Sequence, residues 1–311
     1  MKVLVTGGAG FIGSHIARRC VNLGHRVCVL DDLSTGCADR VPAGARFVHL
    51  SLTDFPAVAD LLRTERFHVI AHLAAQTDVR RSVQDPLEDV SLNVDSTVHL
   101  FHIARQSGLQ QFMFASSGGT VYGEPEEIPI SVTAPIRPQS PYGVSKAAGE
   151  LYLNCFYQLY RIPTVIFRYA NVYGPGQLGG EAGVVAIFFR KMLSGDQPVI
   201  YGSGDQMRDF IFIEDVLNLN ERLLGAGGFH LLNVGSGTGV SIRTLYDEIA
   251  RLTDFSSEPC FAPMLAGDLH RNALDISATR NAVGWSPIHS LPDGLAQTLD
   301  WWQSKLLTAP R

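Results

Sequence analysis

Residues 2–32, KVLVTGGAGFIGSHIARRCVNLGHRVCVLDD, decide the fold. The apolar run 2–6 stops abruptly at glycines, the pattern of a strand buried on both faces of a parallel sheet. Residues 11–23 read as a helix with Gly24 as its stop, and a second buried-strand run, 27–30, ends at Asp31-Asp32. One βαβ unit is thereby complete in about thirty residues. Gly7, Gly10 and Gly13 fall in the turn between strand and helix, where a glycine-rich backbone can approach a pyrophosphate at a helix N-terminus. Glycine spacing alone signifies a tight turn; its strand-turn-helix setting is what points to a dinucleotide. Asp31 closes the second strand, where an acid accepts hydrogen bonds from the adenosine ribose and repels a 2′-phosphate, which selects NAD over NADP. The plainer reading makes Asp31 and Asp32 ordinary loop carboxylates.

The alternation continues outward from this unit. Strands are expected at 46–49, 68–73, 111–116 and 164–169, and helices at 54–65, about 86–107 and about 141–160. Such alternation makes an α/β fold, a doubly wound parallel sheet of Rossmann type with helices on both faces. Beyond about residue 172 it dissolves into Gly/Pro-rich stretches: YGPGQLGGEAG, YGSGDQ, GAGG and GSGTG. Residues 1–172, joined by segments near 207–236, are therefore expected to bind NAD. Residues 173–311 are expected to form mainly a smaller C-terminal substrate lobe, packed on the first with the ligand cleft between them.

Tyr142 and Lys146 form a Tyr-x-x-x-Lys pair at the start of an expected helix, and i,i+4 spacing puts both on one face. Chance can produce such a pair. Its position argues otherwise, because it follows the strand that ends in Ser116-Ser117, and parallel sheets bind ligands at those strand ends. A tyrosine is a poor base at neutral pH, but a lysine ammonium and a nicotinamide cation both favour its phenolate, which suits Tyr142 to act as general base on a hydroxyl.

The segments VTGGAGFIGSH, LDDLSTG, HLAAQ, SSGGTVYGE, SPYGVSKAAGE, RYANVYGPGQ, GEAGVVAIFFRKML, RDFIFIEDV, NVGSGTGVSI and GDLHRNALD run from residue 3 to about 275. Through them the chain resembles the extended short-chain dehydrogenase/reductase superfamily and, within it, the UDP-glucose (UDP-galactose) 4-epimerase family. The resemblance implies NAD-dependent inversion of sugar carbon 4, with Tyr142 as base, Lys146 orienting the nicotinamide ribose, and Ser117 holding the sugar 4-hydroxyl. Aligned on the strand, that hydroxyl falls on Ser117; aligned backwards from Thr120-Val121-Tyr122-Gly123, the position falls on Gly118, with Thr120 as reserve. The strand alignment is preferred because strands hold position better than loops. The resemblance further implies cofactor contacts at Phe11, Ile12, Asp32, Ser51, Leu52, Leu73, Ala74, Ala75, Asn93, Ser116 and Tyr169. It implies substrate contacts at Gly118, Asn171, Val185, Val199, Tyr201, Arg208 and Asp268. Leu265 stands where relatives carry a second phosphate-binding arginine, with Arg271 as substitute. Asn272 replaces a bulky tyrosine of hexose-only relatives and leaves room for an N-acetyl group. The helices near 86–107 and 141–160 resemble those through which relatives pair, so a homodimer is expected.

Composition narrows the alternatives. Lys and Arg total 25 against 30 Asp and Glu, a net charge of −5, and no basic run exceeds a pair, so neither nucleic acid nor a membrane surface is an expected partner. Five scattered cysteines without CxxC spacing read as reduced, mostly buried thiols, and His99 and His102 lack a third ligand, so no metal is expected. The N-terminal apolar run is too short for a signal peptide, and a soluble cytoplasmic protein is expected. Phe188, Phe189 and Met192 are expected in the core. A 4,6-dehydratase needs an acid pair where this chain has Gly118-Gly119-Thr120. UDP-N-acetylhexosamine and UDP-glucuronate epimerases stay open, the latter through Arg80, Arg81 or Arg190 facing a carboxylate. A non-catalytic NAD sensor or scaffold would have no need of a poised Tyr142-Lys146 pair.

Overall fold

A computed structural model of the protein describes residues 1–178, 183–264 and 269–308. The chain runs β1 (Lys2–Thr6), α1 (Phe11–Asn22), β2 (Arg26–Asp31), β3 (Arg46–His49), α2 (Phe55–Glu65), β4 (Val69–His72), α3 (Val79–Gln84) and α4 (Pro86–Val90). A π-helical turn (Ser91–Asp95) then leads into α5 (Ser96–Ala104), β5 (Gln111–Ser117), α6 (Pro141–Tyr160), β6 (Thr164–Tyr169) and β7 (Asn171–Tyr173). There follow α7 (Val184–Leu193), β8 (Val199–Tyr201), β9 (Met207–Phe212), α8 (Ile213–Leu223), β10 (Phe229–Val234) and β11 (Gly239–Ser241). The last elements are α9 (Ile242–Leu252), β12 (Cys260–Ala262), α10 (Ser277–Val283) and α11 (Leu291–Thr308). No described helix is long and apolar enough to cross a membrane.

Seven strands form one sheet in the order β10-β6-β5-β4-β1-β2-β3, and β6 through β3 pair in parallel. Strands covered on both faces must be apolar throughout, which is why Val3, Leu4 and Val5 are fully buried. The chain divides into two compact units, the first comprising Met1–Gly123, Pro135–Tyr169 and Leu217–Leu232, the second Glu124–Ala134, Ala170–Val216 and Asn233–Arg311. The first unit is cored by residues such as Leu30, Ile70, Phe101, Phe112, Phe114 and Ile166. In the second, β11-β9-β7 and β12-β8 form two small sheets, and Phe188, Phe189 and Met192 are buried as expected.

Most expected boundaries fall within a residue or two of the observed ones. The expected helix at 86–107 is instead interrupted by the π turn, and it is preceded by α3, which periodicity did not reveal. Two aspartates set these short elements: Asp78 accepts from Arg80 N and Arg81 N, and Asp85 caps α4 ahead of Pro86 at its first turn. Among the cysteines only Cys20 and Cys28 are buried, their thiols pushed up to about 11 by desolvation. Cys37, Cys155 and Cys260 are exposed, which corrects the expectation of mostly buried thiols. Cys155 lies on the outer side of α6, with Leu151 and Leu159 one turn away on either side.

Helix α6 carries both members of the expected Tyr142-Lys146 pair. Ser140 caps it by accepting from Gly143 N at 3.2 Å, and Pro141 opens it. Tyr142, Ser145, Lys146, Gly149, Glu150 and Leu153 form its buried stripe at helical spacing. Gly149 lets this stripe lie close on β5, since a Cβ there would stand 2.8 Å from the ring of buried Phe114. Gly149→Ala should therefore lose about 1 kcal/mol or more in urea unfolding, overpacking outweighing alanine's better helix propensity.

Candidate active site

The first unit gathers the expected cofactor residues at the carboxyl ends of β1, β2 and β4. Gly7 has φ +67°, and a side chain there would meet Ala74 N at 2.7 Å. At Gly13 a Cβ would come within 2.1 Å of Gly7 O. Gly10, the N-cap of α1, brings no side chain, so Phe11, Ile12 and Gly13 begin a helix without a side-chain cap. Asp31 is buried and accepts from Ala9 N and Leu33 N, both at 2.9 Å, which braces the glycine turn against the end of β2. Asp32 turns outward to accept from Ser34 N. Ser51 pairs with Thr53 after β3, and Leu52 beside it is buried.

Behind the turn runs a buried chain of hydrogen bonds. Thr97 Oγ1 donates to Asn93 O at 2.7 Å, so the 2.8 Å contact with His72 Nε2 requires the imidazole to donate there. His72 Nδ1 then accepts from Thr6 Oγ1 at 2.7 Å, and Thr6 Oγ1 in turn accepts from Leu73 N and Ala74 N. Every atom is satisfied only if His72 is neutral. Desolvation, with the nearby Lys146 charge, lowers it to about 3. Asn93 clamps Gln76, accepting from its N–H and donating to its C=O, both at 3.0 Å, and this sets the loop containing Leu73, Ala74 and Ala75.

At the end of β5 the two serines diverge. Ser116 donates to Glu150, which also takes the Arg168 guanidinium in a buried ion pair; Arg168 donates onward to Tyr122 Oη at 2.8 Å. Ser117 faces Tyr142, close enough for its hydroxyl to favour the phenolate. Lys146 lies one turn further along α6, its Nζ donating to Ala115 O at 2.9 Å and standing 5.8 Å from the Tyr142 ring centre. Burial pushes the Tyr142 phenol up, opposed by the Ser117 hydroxyl and reinforced by Asp89. Burial brings Lys146 down to about 8, against the pull of Asp89 and Glu150. Gly118 N bonds to Tyr169 O, and Tyr169 Oη accepts from Asn220. The hydroxyl of Thr120 is buried without a partner.

In the second unit, Arg208 and Arg271 are brought to neighbouring strands, for Met207 bridges Arg271 and Asn272 N donates to Met207 O. Buried Asp209 fixes that strand by accepting from Ser236 N and Oγ, Gly237 N and Leu274 N. Asn171 donates to Asp209 O, Val185 is buried in α7, and Val199 and Tyr201 are half exposed on β8. Asn272 is buried. Asp268 and Leu265 lie outside the described residues. Arg81 is paired with Glu88.

The family described as the NAD dependent epimerase/dehydratase family matches residues 3–235. The chain belongs to that family. A UDP-glucose 4-epimerase of Mycolicibacterium smegmatis is 42% identical over 312 residues, 98% of this chain and 99% of the relative. The crystal structure of the Thermotoga maritima UDP-glucose 4-epimerase with UDP-glucose superposes with a TM-score of 0.95 at 36% identity, covering 98% of this chain and all of that one. The Thermus thermophilus UDP-glucose 4-epimerase in complex with NAD gives 0.92 at 39% identity, covering 97% and 99%.

Within this epimerase/dehydratase fold, sequence reasoning passed over His72, Gln76, Asp89, Ser145, Glu150 and Arg168. The HLAAQ and SKAAGE segments contain four of them, but nothing in either segment reveals a partner so far along the chain. His72 yields a stability prediction. The unfolded chain takes up a proton on this histidine near pH 6.5 while the folded chain refuses it, so stability present above that pH is lost as the pH falls through the window down to about 3. Urea unfolding below pH 6 should lose about 1.4 kcal/mol per pH unit from this group. His72→Asn should show a slope shallower by that amount.

Proposed function

We propose that the protein is a UDP-glucose 4-epimerase that interconverts UDP-glucose and UDP-galactose with NAD. The observation that carries this reading is Tyr142 at the start of α6, facing Ser117 at the end of β5, with Lys146 one helical turn away and 5.8 Å from the Tyr142 ring centre, in a chain related over its whole length to UDP-glucose 4-epimerases. The first unit suits the dinucleotide: an uncapped helix start and a glycine cradle that a Cβ would fill accept a pyrophosphate, and Asp31 stands at the ribose position. Bound NAD supplies reversible hydride exchange at sugar carbon 4, and return to the opposite face inverts that carbon with no net oxidation.

The protein's own groups manage the proton. Tyr142, as phenolate, takes it from the 4-hydroxyl, and Ser117 holds the oxygen through its hydroxyl. Lys146, 5.8 Å from the Tyr142 ring centre, brings a positive charge that favours the phenolate. In the second unit, Arg208, Asn171 and Arg271 hold the diphosphate, guanidinium forks suiting its paired oxygens. Val185, Val199 and Tyr201 flank the base, and Asp268 takes the uridine ribose. On this reading residues 1–172 with segments near 207–236 are the NAD body, 173–311 mainly the nucleotide-sugar lobe, and the enzyme serves galactose metabolism in the cytoplasm.

The homodimer belongs to the same proposal. Leu87 is 81% exposed and Leu151 64%, and Val83, Val144, Tyr152 and Leu159 extend this apolar surface over α3 and α6. In sedimentation equilibrium the protein should weigh twice its chain mass and Leu151→Glu should weigh once.

Incubation with UDP-galactose, UDP-N-acetylgalactosamine and UDP-glucuronate separately, without added NAD, followed by proton NMR, tests the activity. UDP-galactose should convert to UDP-glucose, and Tyr142→Phe should lower kcat by about 10²–10⁴-fold. No conversion of UDP-galactose even with NAD added would overturn the reading, and conversion of only one of the other two would reassign the sugar.

A further inference from the structure

Asp89 has no part in the chemistry just described, yet it is fully buried and its hydrogen bonds all end around the catalytic pair. One carboxylate oxygen accepts from Gln76 Nε2 at 3.1 Å and from Asn93 Nδ2 at 3.0 Å. The other accepts from Ser145 Oγ at 2.6 Å, and Ser145 is the residue before Lys146. Three segments thus meet on one side chain: α6, the π turn containing Asn93, and the loop after β4 that Asn93 clamps. A buried carboxylate is costly unless hydrogen-bonded and offset by positive charge, and here three donors and the Lys146 ammonium provide both.

We propose that Asp89 is a positioning residue of the active site, a buried carboxylate that ties the turn of α6 bearing Lys146 to Asn93 and the loop after β4, with its charge turned on the Tyr142-Lys146 pair. The inference rests on reading that pair as the catalytic machinery. The other groups facing the pair are few. Glu150 on α6 is engaged by Arg168 of β6, His72 of β4 is neutral, and Ser117 of β5 is uncharged. On the flanking segments Asp95 and Arg80 are exposed, and Arg81 is paired with Glu88. Asp89 therefore favours the protonated form of both members, keeping Lys146 charged although buried while holding back the Tyr142 phenolate. Loss of that charge moves both in the same direction.

The test is a titration of Lys146 in protein labelled with [13Cε]lysine, where only four lysines contribute signals, together with pH profiles of kcat/KM. In Asp89→Asn the Lys146 midpoint should fall by about one pH unit, and both limbs of the profile should move to lower pH. An unmoved midpoint would overturn the proposal. So would limbs moving in opposite directions, phenol down and lysine up, which is what admission of water does. Ser145→Ala keeps the charge and cuts the tie: kcat should fall about tenfold with the UDP-sugar KM and the Lys146 midpoint unchanged. If Asp89→Asn does not fold, Ser145→Ala decides, and a wild-type kcat in it would overturn the proposal. Absence of turnover by the wild-type protein would count against the epimerase reading alone, because the lysine titration needs no turnover.

Discussion

A single buried ammonium organises the active unit. Lys146 is almost wholly removed from water, and transfer of such a charge into a protein interior costs several kcal/mol unless other groups take over its hydration. The Ala115 carbonyl accepts one of its protons, the Phe114 ring lies 5.0 Å below it, and two carboxylates, Asp89 and Glu150, supply the opposing charge. Those carboxylates must then be satisfied in turn. Glu150 takes Arg168 and Ser116, and Arg168 takes Tyr122, so β5, β6 and α6 are joined by one polar network. Asp89 takes Ser145, Asn93 and Gln76, which joins α6 to the π turn and to the loop after β4. Retaining one charge in the interior thus sets the partners of about eight other side chains.

The same constraint explains the neutrality of His72. An imidazolium beside Lys146 would add a second uncompensated cation, and its second N–H would point at Thr6 Oγ1, which already accepts from two backbone amides. A neutral ring with its proton on Nε2 fits both neighbours and passes order from Thr97 through to the glycine turn. The cofactor cradle and the catalytic helix are thereby referenced to the same sheet through side chains that touch no expected ligand.

What was legible in the sequence was whatever repeats locally. Buried strands announce themselves as apolar runs, a glycine turn by its neighbours, and the Tyr142-Lys146 pair by helical spacing, so the sheet and the candidate groups could be named from residues close together in the chain. The supports could not. Asp89 meets Ser145 from 56 residues away, and Ser116 meets Glu150 from 34. Helix α3 has too few residues for a period to show, and it owes its existence to the carboxylate of Asp78. Burial of cysteines was misjudged because composition does not say which face of an element each occupies: Cys155 falls on the outer side of α6 and Cys260 on the short strand β12.

The two hydroxyls that alignment leaves as candidates, Ser117 and Thr120, stand in different settings. Ser116 donates to Glu150, two turns further along α6 than Tyr142, which Ser117 faces. Ser117 also accepts Thr120 N at 3.2 Å and Val121 N at 3.1 Å through its carbonyl, so the turn carrying Thr120 is built on Ser117. Ser117 has its side chain beside Tyr142, while Thr120 has a buried hydroxyl with no partner, an arrangement that costs free energy. Gly118, between them, has no hydroxyl to offer and donates its amide to Tyr169 O, which ties the start of that turn to the end of β6.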